Sequence, residues 1–463
     1  MIKKINIKNF KGWKDTGEIK MAPITVFFGT NSSGKSGIGH LLLLLQQTVN
    51  NPDRKTIIYS GDRSSPIYFN SLLDIVHCHD INKRIQFDYC WNLPEINNIK
   101  DRLTKKLFEY NEINFKASIG LSSRKTTELD FFEYLLKKDN ENILSIYMKK
   151  RSTSSISYTI GSTEYNLVKN NNNQIGFPDR FYGFPESIIT IFQNANFSQD
   201  LIYHHENLYR NIFYLGPLRN NPERTYTRTS NEFDSVGYTG RNAISILLAS
   251  HELIYNIGVN NRFMNLKEII TEKLNDMGLL ISLQINCISD ERQIYEIKVQ
   301  TKGSECLVDL TDVGFGVSQV LPVLIQLFYA PKNSILIMEQ PEMHLHPKAQ
   351  SLLADVMIDA INAKENGKER NVQLIIETHS EHFLRRLQRR IAEDKISSNQ
   401  IAAYFANVNE NPTRLDALDI DDYGNIKNWP NDFFGDEMGE AVAQSIAALK
   451  KRSTENENAQ IRN

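Results

Sequence analysis

The stretch Gly29-Thr30-Asn31-Ser32-Ser33-Gly34-Lys35-Ser36 constrains this chain more than any other. It follows the apolar run Ile24-Thr25-Val26-Phe27-Phe28 and precedes the leucine-rich segment Leu41 to Leu45, so it reads as strand, phosphate loop and helix. The pattern is G-x-x-x-x-G-K-[ST], and each fixed position has a task. Gly29 and Gly34 let the backbone approach a phosphate with no Cβ in the way. Successive N–H groups of the loop, from Asn31, Ser32 and Ser33 onward, can then converge on the anion at a helix N-terminus. Lys35 reaches toward the β- and γ-phosphates, and the Ser36 hydroxyl takes a place on Mg²⁺. The expected ligands are therefore ATP and Mg²⁺.

Composition narrows the setting. At 463 residues the chain can hold two or three domains, or one large core with an insertion. A formal net charge of −2 gives no global field to attract nucleic acid, so such binding would need a local patch or a partner. Cys78, Cys90, Cys287 and Cys306 are scattered with no C-x-x-C spacing, which fits a reducing cytoplasm. The N-terminal residues lack the apolar stretch of a signal peptide, and no apolar run is long enough to span a bilayer. A cytoplasmic protein with no membrane contact is expected.

A phosphate loop needs an acid on a second strand to hold the metal. Ile335-Leu336-Ile337-Met338-Glu339 reads as a buried strand ending in that acid, followed by Gln340-Pro341-Glu342 and Leu345-His346-Pro347. An acid at such a position is hard to explain as packing, because it would be desolvated without a partner. A further apolar run ends in Thr378-His379-Ser380, where His379 is placed to sense the γ-phosphate or position a water. Arg219, after the strand-like Ile212 to Leu215, also stands at a strand end, a common site for phosphate contact.

From Asp312 onward the order is turn, helix (Val317 to Tyr329), strand, helix (Pro347 to Ala363), strand and helix (His379 to Asp394), the alternation of a parallel α/β layer. Between about Pro94 and Asn211 the character changes. Charged segments around Asp101 to Tyr110 and Glu128 to Lys138 read as helices, Ser152 to Thr163 as strand, and Lys169 to Asn173 as a solvated turn. A helix is expected over Met438 to Lys450, with a frayed tail beyond Arg452. His77-Cys78-His79-Asp80 has poor zinc geometry and reads as structural. Lys149-Lys150-Arg151 and Arg385 to Arg390 read as solvated faces, the latter with enough charge over little more than a helical turn to dock a nucleic acid or an acidic partner.

The ordered set Asn9-Phe10-Lys11, the phosphate loop, Gly314-Phe315-Gly316-Val317-Ser318-Gln319, Glu339-Gln340-Pro341-Glu342, Leu345-His346-Pro347 and Thr378-His379-Ser380 resembles the ATP-binding-cassette-type ATPases of the OLD, RecF and SMC kind. The chain is most similar to the stand-alone AAA-family ATPases of bacterial anti-phage defence systems, such as the ATPase subunits of PARIS and Septu. The resemblance covers roughly residues 1–60 and 305–385. It implies an α/β fold, an ABC-type P-loop ATPase head with a mixed β lobe and a parallel-sheet core, interrupted by a helical/β insertion. The expected division is 1–93 for the N-terminal lobe, 94–211 for the insertion, 212–395 for the core lobe and 396–463 for a C-terminal segment.

The resemblance also implies a head-to-head dimer, in which ATP on one phosphate loop is sandwiched by the signature turn of the other subunit. Gly314, Gly316 and Ser318 belong to that turn, Leu345-His346-Pro347 is the dimer-contacting loop, and Lys11 lies near the nucleotide. Two departures stand out. Gly314 occupies the place of the family's signature serine, and Gln340 occupies that of the catalytic glutamate beside the metal acid, Glu339. A glutamine orients a water but takes no proton, so either Glu342 takes the base role or hydrolysis is slow and the protein works mainly as an ATP-dependent clamp or switch; Glu342 with slow turnover is the expectation.

The expected function is that of an ATP-hydrolysing sensor or scaffold in anti-phage defence. It would respond to a phage-derived trigger and control a separate effector, expected to be a nuclease. Fewer than ninety residues follow His379, too few for the Toprim nuclease that OLD proteins carry, and Asp419-Ile420-Asp421 lies in a loop-like stretch. The alternative is a RecF-like ATP-dependent DNA-binding clamp in recombination or repair.

Overall fold

In the computed structural model the described residues are 1–101, 103–122, 124–151, 157–171, 173–228, 233–250, 254–256, 263–365, 367–407, 413–430 and 442–448. The phosphate-loop strand Ile24–Gly29 is apolar on both faces and nearly all buried, as a central strand of a parallel sheet must be. It lies inside a six-stranded sheet in the order Arg414–Ala417, Ile401–Asn407, Ile24–Gly29, Gln373–Glu377, Ile335–Glu339 and Ile212–Leu215. Only the edge pair Arg414–Ala417 and Ile401–Asn407 is antiparallel.

Alternation along these strands feeds two cores. Phe27, Ile335, Ile337 and Ile375 face the loop helix Lys35–Asn50, whose leucines 41 to 45 are all buried, while Val26, Phe28, Leu336, Met338, Leu374 and Ile376 face the helices Phe315–Tyr329, Pro347–Asn362 and Glu381–Ala392. A helix apolar nearly all round, like Lys35–Asn50, is stable only when covered on every side. Its N-terminus is thereby fixed at the C-terminal ends of the parallel strands, where ligands of open α/β sheets bind.

The stretch expected as an insertion differs from its sequence reading. Asp101 to Tyr110 and Glu128 to Lys138 are not helices: Ile85–Lys100, Leu107–Leu121, Thr127–Lys138, Glu141–Arg151 and Ser157–Ser162 are successive strands. With Ile2–Phe10 and Trp13–Lys20 they form one seven-stranded antiparallel sheet. Strand Ile85–Lys100 runs straight through the expected boundary at 93–94. At the other end, Ile401–Asn407 lies beyond the expected end of the core lobe at 395, yet it pairs in parallel with the phosphate-loop strand, Ala406 opposite Gly29. Of the helix expected over 438–450, residues 442–448 are helical. The rest of it, the tail beyond 452, and residues 152–156 and 172 of the expected strand and turn lie outside the described residues. Among the described residues no helix is long and apolar enough to cross a membrane.

Candidate nucleotide site

The phosphate loop takes the shape its glycines allow. Gly29 has φ 143°, and a Cβ there would sit 2.8 Å from the Ala406 carbonyl oxygen and 2.9 Å from Ser33 Oγ. Gly34, at φ 87°, precedes the helix in a left-handed conformation that a side chain disfavours. Its carbonyl accepts the indole N–H of the fully buried Trp13 at 2.9 Å. Lys35 Nζ donates to Gly29 O at 3.0 Å, to Thr30 O at 2.7 Å and to Ser33 Oγ at 3.3 Å. Burial lowers its pKa, opposed by the carboxylates of Glu377 and Glu342. Asn31 and Ser32 form the exposed crest of the loop, and Ser33 is buried beneath it.

Two acids end neighbouring strands at the same level. Glu339 and Glu377 are partners in the parallel ladder, and alternation puts both on the side of Ile337 and Ile375, toward the loop helix. Glu339 Oε1 accepts the Tyr214 hydroxyl at 3.1 Å and lies 3.2 Å from His40 Nε2. The other ring nitrogen of His40 bonds the Lys11 ammonium, so the expected nucleotide contact Lys11 reaches Glu339 through a histidine on the loop helix. Lys11 also lies 4.7 Å over the Phe69 ring, and burial brings its pKa down to about 8 against the pull of Glu339 and Glu377. The Glu377 carboxyl is pushed up to about 6, first by burial and then by the negative charge of Glu339, while the Ser36 hydroxyl pulls the other way. Its Oε2 is buried without a hydrogen-bond partner.

These residues fit a divalent cation. Ser36 brings a hydroxyl to a patch with two like charges in register and an unpartnered carboxylate oxygen, which a cation relieves. Among the described residues no group of three or more His, Cys, Asp or Glu gathers as a metal cage.

The turn after the acid strand is held from three directions. Gln340, at φ 45°, donates its N–H to Glu377 O at 2.8 Å. The buried Arg219 donates to the carbonyls of Glu339 and Gln340, both at 3.2 Å, and to Gln319 O of the helix Phe315–Tyr329, also at 3.2 Å. Arg219 therefore serves as a clamp on backbone oxygens; the sequence had marked it for phosphate contact. Burial lowers its pKa to about 10, and the nearby Glu342 carboxylate counters this. Glu342 Oε1 accepts the His379 N–H at 3.0 Å, the Thr378 hydroxyl also favours the charged carboxyl, and Oε2 is buried without a partner. The net effect is to raise its pKa, burial outweighing those bonds. The His379 pKa is lowered by burial and by Lys35, with the Gly29 backbone acting the other way.

Residues from both ends of the chain thus meet around the loop: Lys35, Ser36, Glu339, Gln340, Glu342 and His379, with Lys11 one histidine away. The turn expected to carry the signature is placed differently. Gly316 packs on the His344 carbonyl and the Leu345 side chain, and Phe315 lies 5.9 Å from the His344 ring, so the turn is joined to the loop after the acid strand. A Cβ at Gly314 would meet nothing within 4 Å. Ser318, expected in the same turn, is buried and donates its hydroxyl to Phe315 O at 3.0 Å in its own helix.

Sequence reasoning passed over Glu377, His40, Tyr214 and Trp13. For Glu377 the signal was present, since the argument for an acid ending a buried strand applies to it as it does to Glu339. The basic clusters are mostly spent. Arg386 and Arg390 both bind Asp355, Arg389 pairs with Glu393, Arg385 with Glu381, and Lys150 with Glu128. His77 and His79 bond the backbone oxygens of Lys11 and Leu73, in keeping with a structural role.

The pattern of a family described as AAA ATPase domain matches residues 1–384, and that of a second, described as a protein of unknown function, matches residues 396–444. An ATP/GTP phosphatase of Helicobacter pylori is 22% identical over 400 residues, covering 85% of this chain and 89% of that protein. Among solved structures, the SMC head domain of Thermotoga maritima aligns with 90% of this chain and 99% of its own at 9% identity and a TM-score of 0.37. A Pyrococcus furiosus Smc head bound to the C-terminal domain of ScpA covers 90% of this chain and 96% of its own at 11% identity and a TM-score of 0.41.

Proposed function

The chain belongs to the AAA ATPase domain family, whose pattern spans residues 1–384, and we propose that this ATPase works as a slow ATP-dependent switch. The observation that carries the reading is Gln340. The residue after the metal acid is an amide, and its backbone is fixed on both sides, by Glu377 O and by Arg219. An amide in that place can hold a water in line but cannot take its proton.

The roles follow from position. Ser36 and Glu339 would hold Mg²⁺, which would supply positive charge against the phosphates. Lys35 leaves the loop carbonyls it now bonds for the β- and γ-phosphates. His379 would meet the γ-phosphate. Glu342 is the base: its raised pKa suits proton acceptance, and one of its oxygens is uncommitted. A second copy of the chain completes the site, its signature turn presenting the open Gly314 and the start of a helix to the γ-phosphate.

On the motif resemblance, the switch belongs to a cytoplasmic anti-phage system in which a phage-derived trigger releases or activates a separate nuclease. The Asp421 carboxylate accepts the N–H groups of Tyr423 and Asn425 at 3.0 and 2.8 Å, capping its own turn, which supports an effector on another polypeptide. Purified protein with ATP and Mg²⁺ should release phosphate slowly and leave DNA intact. Cleavage that survives Lys35→Ala but not changes at Asp419 and Asp421 would overturn the separate effector. The RecF-like clamp predicts ATP-stimulated, salt-dependent DNA binding. The ion pairs that occupy Arg386, Arg389 and Arg390 weigh against it, and a gel shift across a salt series separates the two.

A further inference from the structure

We infer that Glu377 is a second carboxylate of the cation site, facing Ser36 and Glu339 from the strand between the phosphate loop and the acid strand. The inference rests on the nucleotide-site reading above and adds a residue to it. Three observations carry it. The first is register: Glu377 pairs with Glu339 on one side and with Phe27, two residues before Gly29, on the other. Adjacent strands lie about 4.8 Å apart, so two side chains of the same level and face can reach one ion. The second is the influence of the Ser36 hydroxyl, which favours the charged form of the Glu377 carboxyl and so stands beside it, the acid facing the loop hydroxyl expected to hold the metal.

The third is the company each acid keeps. Glu339 has Tyr214 and His40 on one oxygen, whereas Glu377 Oε2 is buried with no donor at all. Buried carboxylate oxygens are costly unless a donor or a cation meets them. Among the described residues none supplies that donor, and a cation held at Ser36 would meet the oxygen instead. Glu377 Oε2 is thus the oxygen best disposed to bind it, while the Gln340 N–H fixes the Glu377 backbone from the neighbouring strand end.

The test uses the full chain, a non-hydrolysable ATP analogue and Mn²⁺ as a paramagnetic probe. Free and bound Mn²⁺ are read by electron paramagnetic resonance, and fluorescent ATP binding is read separately in the presence of a chelator. Glu377→Gln should weaken Mn²⁺ by about tenfold or more while metal-free nucleotide binding stays within about threefold. Unchanged Mn²⁺ affinity in this variant overturns the inference. If the wild-type chain binds neither nucleotide nor Mn²⁺, the nucleotide-site reading itself fails, a distinct outcome. Should Glu377→Gln not fold, the wild-type protein carries the test: Fe²⁺ in place of Mg²⁺, with ascorbate and peroxide, cuts the backbone beside its ligands. Cuts near 36, 339 and 377 support the assignment, and cuts near 36 and 339 without 377 overturn it.

Discussion

The carboxylate of Glu342 accepts the backbone N–H of His379 at 3.0 Å, locking the turn after the acid strand to the turn that carries the histidine. Both turns continue adjacent parallel strands, so one side chain sets the spacing of two expected contacts to the γ-phosphate.

Two substitutions separate the structural and chemical sides of that link. In Glu342→Gln the amide oxygen still accepts the His379 N–H, so the fold and ATP binding should persist while phosphate release falls by about a hundredfold or more. In Glu342→Ala the buried N–H loses its acceptor, and the chain should lose about 1–3 kcal/mol in urea unfolding as well. Turnover unchanged in Glu342→Gln would remove Glu342 from the chemistry.

The Trp13 indole holds the carbonyl of Gly34, so the β lobe reaches the phosphate loop through one hydrogen bond. Trp13→Phe keeps most of the packing and loses that bond, a cost of about 1 kcal/mol that should appear as a several-fold weaker ATP affinity. Gly34→Ala is harsher. The position has φ 87°, and the new Cβ would lie 3.3 Å from the indole, so ATP affinity measured by fluorescence titration should fall at least as far as in Trp13→Phe.

Much of this site could be read before the fold was seen, because its chemistry sits in consecutive residues. Gly29 to Ser36 and Ile335 to Glu342 each carry their own strand and ending. The antiparallel arm could not be read so easily. In Thr127–Lys138 the ladder skips Asp130, pairing Leu129 with Ile119 and Phe131 with Ser118. That bulge sets the buried Leu129 and Phe132 three residues apart, a helical spacing, and the surrounding charges complete the false signal. Strand Ile401–Asn407 was missed as part of the core for another reason. Its partner is Ile24–Gly29, near the opposite end of the chain, and no local pattern encodes a pairing at that separation. Arg219 misled because a cation at a strand end looks alike whether it meets phosphate or carbonyl oxygens.

Arg219 joins the helix Phe315–Tyr329, at Gln319 O, to the turn after the acid strand, at Glu339 O and Gln340 O. A lysine keeps the charge near Glu342 but cannot fork across both segments. Arg219→Lys should therefore bind ATP nearly as well as wild type while phosphate release falls about tenfold or more. Arg219→Met also removes the buried countercharge of Glu342, and should cost about 3–5 kcal/mol in urea unfolding. Equal losses of binding and turnover in Arg219→Lys would count against a link between the helix and the turn.

His205 ties the helix Phe197–Arg210 to the antiparallel sheet, and it makes that junction sensitive to acid. Its Nε2 lies 2.9 Å from the Tyr89 hydroxyl and its Nδ1 3.2 Å from the Tyr134 hydroxyl, with the ring stacked 4.3 Å from that of Tyr182. Tyr134 donates its own proton to Tyr182 O, which leaves it an acceptor for Nδ1–H and assigns Nε2 as the acceptor from Tyr89. Complete burial pushes the His205 pKa well below the usual value, so the ring is neutral in the fold and titrates near 6.5 once unfolded. The sign follows: its contribution is whole above about 6.5 and is lost as pH falls toward the depressed folded value, with a slope approaching about 1.4 kcal/mol per pH unit. The tyrosines around it, Tyr89, Tyr134, Tyr182 and Tyr209, have pKa values raised by burial and do not titrate in this range. The neighbouring His204 is also lowered by burial and adds loss in the same direction, so the informative quantity is a difference between proteins. Urea midpoints measured from pH 7.5 to 5.5 should fall more steeply for wild type than for His205→Phe, in which no ring remains to be charged. Parallel slopes would mean that the acid-sensitive group lies elsewhere.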